Sequence, residues 1–204
     1  MEAPLTARGD KRSRLVEAAR AVFAEKGYAS TRVADIAERA AVGKGTVYEY
    51  FSSKEELLFA VFESINAQIS TRIDSAFAAG GSSEQQLHNL LRLAAEVTSE
   101  QVDLQPVILD FWAASRGKEF EEAYRQAVVS SYTLFRNLIT DFIRDAQRQG
   151  EFTATIDAEA LAATIVATVD GLGIQLFFDR SLDLHRITEA FGRLLHQHLT
   201  LESK

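Results

Sequence analysis

The residues with the most specific chemistry in this chain follow one another in a short segment. Gly43 and Gly45 leave the backbone N–H groups at the start of a short helix open to an anion such as a phosphate, and Lys44 adds a positive charge there. Thr46 and Val47 are short side chains able to meet base edges, the threonine through its hydroxyl and methyl groups. Residues of these types at this spacing predict contact with DNA.

Further donors stand on both sides of this segment. Tyr48 and Tyr50 can donate their hydroxyls to phosphates, and Lys54 places a charge one turn further on. Thr31 and Arg32, at the start of the preceding helix, are expected to bind the DNA backbone across the groove. These contacts would orient the segment on a duplex without reading its sequence.

One acidic residue, Glu49, interrupts this set of donors. A carboxylate repels phosphates unless it accepts a hydrogen bond from a cytosine amino group or pairs with Lys44 or Arg32. The sequence leaves these possibilities open.

The elements that must position these residues are helices. Leu15, Ala18, Val22 and their neighbours recur at spacings of three and four, which predicts an amphipathic helix that ends at Gly27. A second helix from Val33 to Ala40 and a third from about 44 to 51 follow, joined by a tight turn at 41–43. Ser30 or Thr31 is expected to cap the second helix, and Ser52 or Ser53 the fourth.

The rest of the chain repeats the helical period, and no segment alternates with period two. The fold class is therefore predicted as all-α with about nine helices, in which a three-helix helix-turn-helix head precedes a C-terminal helical bundle. Beyond the head the predicted helices are 53–79, 84–100, 104–115, 119–149, 157–178 and 183–200.

A resemblance to a known family rests on the segment from Phe23 to Leu57. It contains Gly27-Tyr28, Thr31 followed by Ile36-Ala37, and the run Gly43-Lys44-Gly45-Thr46-Val47-Tyr48-Glu49-Tyr50-Phe51, which continues to Lys54-Glu55 and Leu57. This segment resembles the DNA-binding head of the TetR family of bacterial transcriptional regulators. The resemblance implies a ligand-responsive regulator, most often a repressor, in which residues 1–52 bind DNA and residues 53–204 bind an effector and form a homodimer.

The distribution of charge agrees with that division. The chain carries a net charge of −7, yet residues 1–60 hold 10 basic and 9 acidic side chains. A near-neutral head with a basic start on an acidic body suits a small DNA-reading module. Two such heads related by a two-fold axis would read a roughly palindromic operator with half-sites about 34–36 Å apart.

Composition excludes other classes. The chain has no cysteine, which removes disulfide scaffolds and thiolate chemistry, and its first residues lack the apolar stretch of a signal peptide, so a cytoplasmic location is expected. The apolar segment 160–178 carries the central charge of Asp170 and two glycines, which argues against a membrane span. No metal or cofactor motif is found.

A concentration of aromatic residues in the C-terminal part predicts a pocket for a small, apolar or aromatic effector, although each ring could equally fill core. Asp170 could orient a ligand, cap a backbone turn or pair with an arginine across a dimer. The candidate pocket residues are Phe62, Ile65, Asn66, His88, Asp110, Phe111, Trp112, Tyr124, Tyr132, Phe135, Asp170, Phe177 and Phe178.

The last two predicted helices carry small and apolar residues that would let two subunits approach closely. The candidate dimer interface comprises Ala163, Ala167, Gly171, Ile174, Phe191, Leu195 and Leu199.

Two other classes of protein compete with this interpretation. A small-molecule-binding enzyme has little support, because the Ser115-x-x-Lys118 match lacks companion motifs and the four histidines show no metal spacing. A helical adaptor that binds protein instead of DNA would leave the arrangement from Thr31 to Lys54 unexplained. No catalytic residue is therefore expected.

Overall fold

The computed structural model describes residues 5–114 and 121–199. Over these residues the prediction of an all-α fold with about nine helices is confirmed. The Ser115-x-x-Lys118 match lies outside the described residues. The helices are α1 Leu5–Lys26, α2 Val33–Arg39, α3 Lys44–Tyr48, α4 Lys54–Ala78, α5 Ser83–Glu100, α6 Gln105–Ala114, α7 Glu121–Arg148, α8 Ala158–Phe178 and α9 Leu184–Leu199, with a 3-10 turn at Val102–Leu104 before α6.

The caps of two helices in the head show how the sequence sets their ends. The Ser53 hydroxyl accepts a hydrogen bond from the Glu56 backbone N–H at 3.1 Å, as one of the two predictions for α4 required. The expected cap of α2 at Ser30 or Thr31 is wrong. Arg32 stands at that position instead, and its backbone N–H donates to the Asp35 carboxylate at 2.8 Å.

The chain divides into two compact units, which cross the predicted domain boundary at residue 52. Unit 1 comprises Met1–Ala67 and Asp103–Ala127, so α6 and the first residues of α7 group with the helix-turn-helix head. Unit 2 comprises Gln68–Val102 and Val128–Lys204.

The core of the head in unit 1 is apolar and tightly closed. Phe23 of α1, Ile36 of α2 and Val47 of α3 are each fully buried, and Phe51 closes the base of α3. The turn between α2 and α3 places Ala41 at φ 54°, in the left-handed region, and the Val42 backbone N–H donates to the Ala37 carbonyl at 3.0 Å. Burial of the three helices against one another therefore holds α3 at a defined angle to α2.

Unit 2 packs α5 against α8 and α9. One face of α8 is buried in that unit through Ala162, Ile165, Leu172 and Leu176, whereas Ala167 on another face is exposed. In length and composition α8 is the one described helix that could cross a membrane. Its buried face shows that it is also a packing element of unit 2.

Candidate nucleic-acid interface

The residues of α3 predicted to contact DNA lie on two faces of the helix, one buried and one exposed. Lys44, Gly45 and Tyr48 are exposed, whereas Val47 has no solvent-accessible surface. The prediction that Val47 meets base edges is therefore corrected, because its side chain packs in the core of the head. Thr46, which is partly exposed, keeps its predicted access to a groove.

Thr31 also belongs to the interior of the head. Only 2% of its surface is accessible, and its hydroxyl donates to the Gly27 carbonyl at 2.8 Å. Its side chain therefore fastens the end of α1 rather than reaching a phosphate, which corrects the predicted role. Its neighbour Arg32 is exposed and keeps a side chain directed at solvent.

Lys54 is held by the loop between α1 and α2. Its Nζ donates to the carbonyls of Tyr28 at 2.8 Å and Thr31 at 3.0 Å, and lies 4.3 Å from the centre of the Tyr28 ring. These contacts satisfy two backbone carbonyls and give the ammonium group a cation–π partner. The charge of Lys54, which was predicted to contact a phosphate, therefore binds groups within unit 1 instead.

Few donors of this region remain exposed. The Lys44 ammonium group lies 5.8 Å from the centre of the Tyr48 ring, whose side chain is half exposed, and Tyr50 is partly exposed. In α1, Arg14 donates to the Ala40 carbonyl at 3.1 Å, which fixes the end of α2. Lys44, Tyr48, Tyr50 and Arg32 therefore remain as the predicted phosphate donors.

A set of hydrogen bonds that the sequence did not reveal joins the head to α6 and α7. The Asp110 carboxylate of α6 accepts a hydrogen bond from the Tyr28 backbone N–H at 3.1 Å. The Tyr28 hydroxyl donates to the Glu55 carboxylate at 2.9 Å, and the Tyr124 hydroxyl of α7 donates to the Glu55 carbonyl at 2.6 Å. Tyr28 and Glu55 thus connect the loop between α1 and α2 with three helices, α4, α6 and α7, within unit 1.

The protonation states of this set favour the same contacts. Burial, and then the hydrogen bond to Glu55, raises the pKa of Tyr28 above its usual range, and burial raises the pKa of Tyr124 to about 12. A hydrogen bond from its own backbone N–H lowers the pKa of Glu55. Both tyrosines therefore stay donors and Glu55 stays an acceptor at neutral pH.

The predicted pocket residues fall into both units. In unit 1, Phe62 stacks on Phe111 with ring centres 3.9 Å apart, and Phe111 stacks on Tyr124 at 4.5 Å. All three rings are buried, so these aromatics fill core instead of surrounding a cavity. Of the other predicted residues of this unit, Ile65 is buried and Asn66, Asp110 and Trp112 are partly exposed.

In unit 2, a polar pair stands out among the predicted pocket residues. Tyr132 of α7 donates its hydroxyl to the Asp170 carboxylate of α8. Burial raises the pKa of Asp170 above its usual range, and the hydrogen bond from Tyr132 opposes that rise in part. A partly buried carboxylate with a single described neutral donor is the kind of group that can orient a polar or cationic ligand.

The remaining predicted pocket residues of unit 2 are dispersed. Phe135 packs on the main core, and Phe177 on the smaller cluster around Leu172. Phe178 is 77% exposed, and His88 lines a small cavity of about 50 Å³ together with His185 of α9. Among the described residues, no hydrogen bond or ring contact joins these four side chains to the Tyr132–Asp170 pair.

The predicted interface residues differ in accessibility. Ala167 is exposed on α8, and Ala163, Gly171 and Ile174 are partly so. The prediction that Leu199 of α9 lies in the interface is wrong, because only 1% of its surface is accessible and it belongs to the core of unit 2. Phe191 and Leu195 also pack on that core, whereas Leu194, which is not among the predicted interface residues, is exposed.

Comparison with known proteins matches both parts of the chain to family models. Residues 15–61 match the model of bacterial regulatory proteins of the tetR family. Residues 83–200, more than half of the chain, match the C-terminal part of the BetI-type transcriptional repressors.

Individual relatives and structures agree with these matches. The transcriptional regulator BetI of Escherichia coli K12 is 28% identical over 192 residues, which cover 93% of this chain and 94% of BetI. The fatty acid degradation regulator FadR of Bacillus halodurans shares the fold with a TM-score of 0.76, 23% identity and 96% coverage of both chains. A regulator from Saccharomonospora viridis, solved with choline, has a TM-score of 0.76 and 24% sequence identity. The match covers 95% of this chain and 100% of that regulator.

The exposed residues of α3, the apolar support beneath them and the match over both parts of the chain agree with one another. The chain belongs to the TetR family of bacterial transcriptional regulators, and its C-terminal domain is of the BetI type.

Proposed function

We propose that two copies of this chain bind a roughly palindromic DNA operator and repress transcription from it. The observation that carries this proposal is the structure of α3, whose exposed Lys44, Gly45 and Tyr48 stand on a fully buried Val47. A short helix held in this way presents a fixed surface to a major groove. Such a rigid support is what base reading requires, because a mobile helix would lose orientation entropy on binding.

Within this surface, the residues divide by the kind of contact they can make. Gly45 and Thr46 would lie against base edges, because one has no side chain and the other a short one. Lys44, Tyr48 and Tyr50 would donate to phosphates. Arg32 would reach the backbone on the other side of the groove.

The homodimer is proposed from the accessible face of α8. Ala167 is exposed there, and Phe178 at the end of the helix is 77% exposed. An apolar helix face of this kind is covered by another protein surface, and a two-fold symmetric partner uses the same face of each copy. The dimer would also bring two heads to one operator, since a single short helix buries too little surface for useful specificity.

The effector is proposed to be a small, largely apolar molecule bound by the C-terminal domain. Two structurally similar regulators were solved with different ligands, choline in Saccharomonospora viridis and stearoyl-CoA in Bacillus subtilis. The Tyr132–Asp170 pair favours an effector that also carries a polar or cationic group, because an anionic carboxylate would repel an anion. The protein would act without catalysis, in the cytoplasm.

A selection from random duplexes by the purified protein tests the DNA-binding function. Repression and dimeric reading predict a recovered motif with two inverted half-sites about one helical turn apart. Addition of choline should weaken binding to that motif if the effector proposal holds, whereas stearoyl-CoA, a large anion, should leave the binding unchanged. A protein with no preference among duplexes at physiological ionic strength, before and after removal of bound small molecules, would contradict the proposal.

A further inference from the structure

Glu49 caps the exposed end of α3 without a partner of its own. Its backbone N–H donates to the Gly45 carbonyl at 3.1 Å, which places both residues on one side of the helix, and its side chain is exposed. Among the residues that the structure describes, its carboxylate makes no hydrogen bond or ion pair. The pairing with Lys44 or Arg32 that the sequence allowed is not formed.

A free carboxylate on a DNA-facing helix has an electrostatic cost. Each phosphate it approaches raises the free energy of the complex, and low ionic strength increases that effect. Base edges of the major groove offer amino donors, and the cytosine N4 amino group is the one that a carboxylate accepts from. Glu49 therefore weakens binding unless it meets such a donor.

The geometry of α3 favours this encounter. Gly45 lies one turn before Glu49 on the same side, and space is open where its Cβ would stand. No side chain therefore keeps the base edges away from this side of the helix. The neighbouring Tyr48 side chain is half exposed and has a lysine, not an acid, beside its ring.

We propose that Glu49 is a specificity-determining residue that accepts a hydrogen bond from a cytosine amino group in each operator half-site. This inference rests on the proposed DNA-binding function and adds to it the identity of a base pair. It assigns a positive role to the acid that caps the C-terminal end of α3.

Selections from random duplexes by the wild type, Glu49→Gln and Glu49→Ala test the inference. The wild-type motif should contain a C·G pair at one position of each half-site. Glu49→Gln should favour A·T at that position, because an amide pairs with adenine N6 and N7. Glu49→Ala should lose the preference there, with a change in discrimination of roughly 5- to 150-fold. Glu38→Gln, which neutralises an exposed acid on α2, is the matched control and should leave the motif unchanged.

The affinity for unrelated duplexes gives a second, independent measurement. Removal of the negative charge should increase non-specific affinity in both Glu49 variants, while affinity for the wild-type operator falls. If both affinities rise together and the motif is unchanged, Glu49 faces solvent or phosphates and the inference is overturned. A wild type that selects no sequence would instead contradict the proposed function itself. Melting temperatures should stay equal, since Glu49 has no described side-chain partner to lose.

Discussion

At the scale of the residue, the burial of Asp170 lowers the stability of the folded protein, and packing gives no reason for a carboxylate at this position. It lies in the most apolar helix of the chain, and burial raises the pKa of its carboxyl group. The charged form is therefore less favourable in the folded state than in the unfolded chain. A residue of this kind is retained when a ligand or partner uses its charge.

Asp170→Asn is accordingly predicted to stabilise the protein in the absence of effector. Because the folded-state pKa is raised, the penalty is absent at a pH below the unfolded value near ~4 and grows as pH rises through the folded value. The gain in melting temperature should be larger at pH 8 than at about pH 3, which lies below the unfolded value. Thermal denaturation of the variant and of Asp141→Asn, an exposed acid on α7, measures it. An equal gain at both pH values would contradict the assignment.

The two lysines of the recognition region are predicted to respond differently to substitution. Lys44→Ala should reduce the dependence of log Kobs on log salt by about one unit per protomer with an unchanged melting temperature, because Lys44 is exposed. Lys54→Met should lower the free energy of unfolding by about 1–3 kcal/mol, because two carbonyls lose a charged donor. Salt titrations of DNA binding and chemical denaturation separate these effects, and an unchanged slope in Lys44→Ala would remove that phosphate contact.

The apolar spacing of Val47 and Phe51, four residues apart, predicts both for the core, and both are buried. The base contact that the sequence also suggested for Val47 is the part that is wrong. The role of Lys54 had no such signal. A lysine that binds backbone carbonyls 23 and 26 residues away has the same sequence context as one that reaches solvent.

At the scale of the element, the turn of the helix-turn-helix stores backbone strain. Ala41 is the one described residue other than glycine with a positive φ, at 54°. Ala41→Gly is therefore predicted to raise the free energy of unfolding by up to about 1 kcal/mol. Ala34→Gly, the same substitution in α2, should lower it by about 0.5–1 kcal/mol. Chemical denaturation of both variants measures these two changes in the free energy of unfolding, which should have opposite signs. A loss of stability in both variants would show that the turn is unstrained.

The bond from α6 to the loop before α2 is a second element-scale feature. Asp110→Ala leaves the Tyr28 backbone N–H without its acceptor and loosens α6 from the head. We expect the effect of choline on operator affinity, normally about 1–3 kcal/mol for coupled sites, to shrink in this variant. Asp110→Asn keeps an acceptor oxygen and should retain most of the response.

Fluorescence anisotropy of a labelled operator, with and without the effector, measures this coupling. Glu63→Ala, at an exposed position of α4, serves as the control. A full response in Asp110→Ala would show that the Asp110–Tyr28 bond does not carry the signal to the head.

Helix positions were predictable where apolar residues recur at helical spacing and a glycine or capping residue marks an end, as at Gly27 after α1 and Ser82 before α5. The predicted bounds of α5 and α8 differ from the structure by one residue at most. The association of α6 with the head was not predictable. It depends on one carboxylate that meets a backbone N–H 82 positions earlier, and hydrophobic periodicity carries no information on such a contact.

At the scale of the whole molecule, the proposed function requires two copies. The accessible strip of α8 and the exposed Leu194 of α9 are apolar surfaces that the core of unit 2 leaves uncovered, as are Val129 and Leu134 of α7. Buried residues of the same helices, such as Leu199, serve the fold of each copy. Substitutions of the accessible residues should therefore change the oligomeric state, whereas substitutions of the buried residues should change the free energy of unfolding.

Ala167→Glu is predicted to convert the dimer into a folded monomer, because two carboxylates would meet across a two-fold axis in a desolvated interface. Sedimentation velocity should show the monomer, and operator affinity should fall to that for unrelated duplexes. Ser99→Glu, an exposed site on α5, should stay dimeric. Leu199→Ala should instead lower the free energy of unfolding by about 2–5 kcal/mol, because it leaves a cavity in the core. A dimeric Ala167→Glu protein with full operator affinity would place the interface elsewhere.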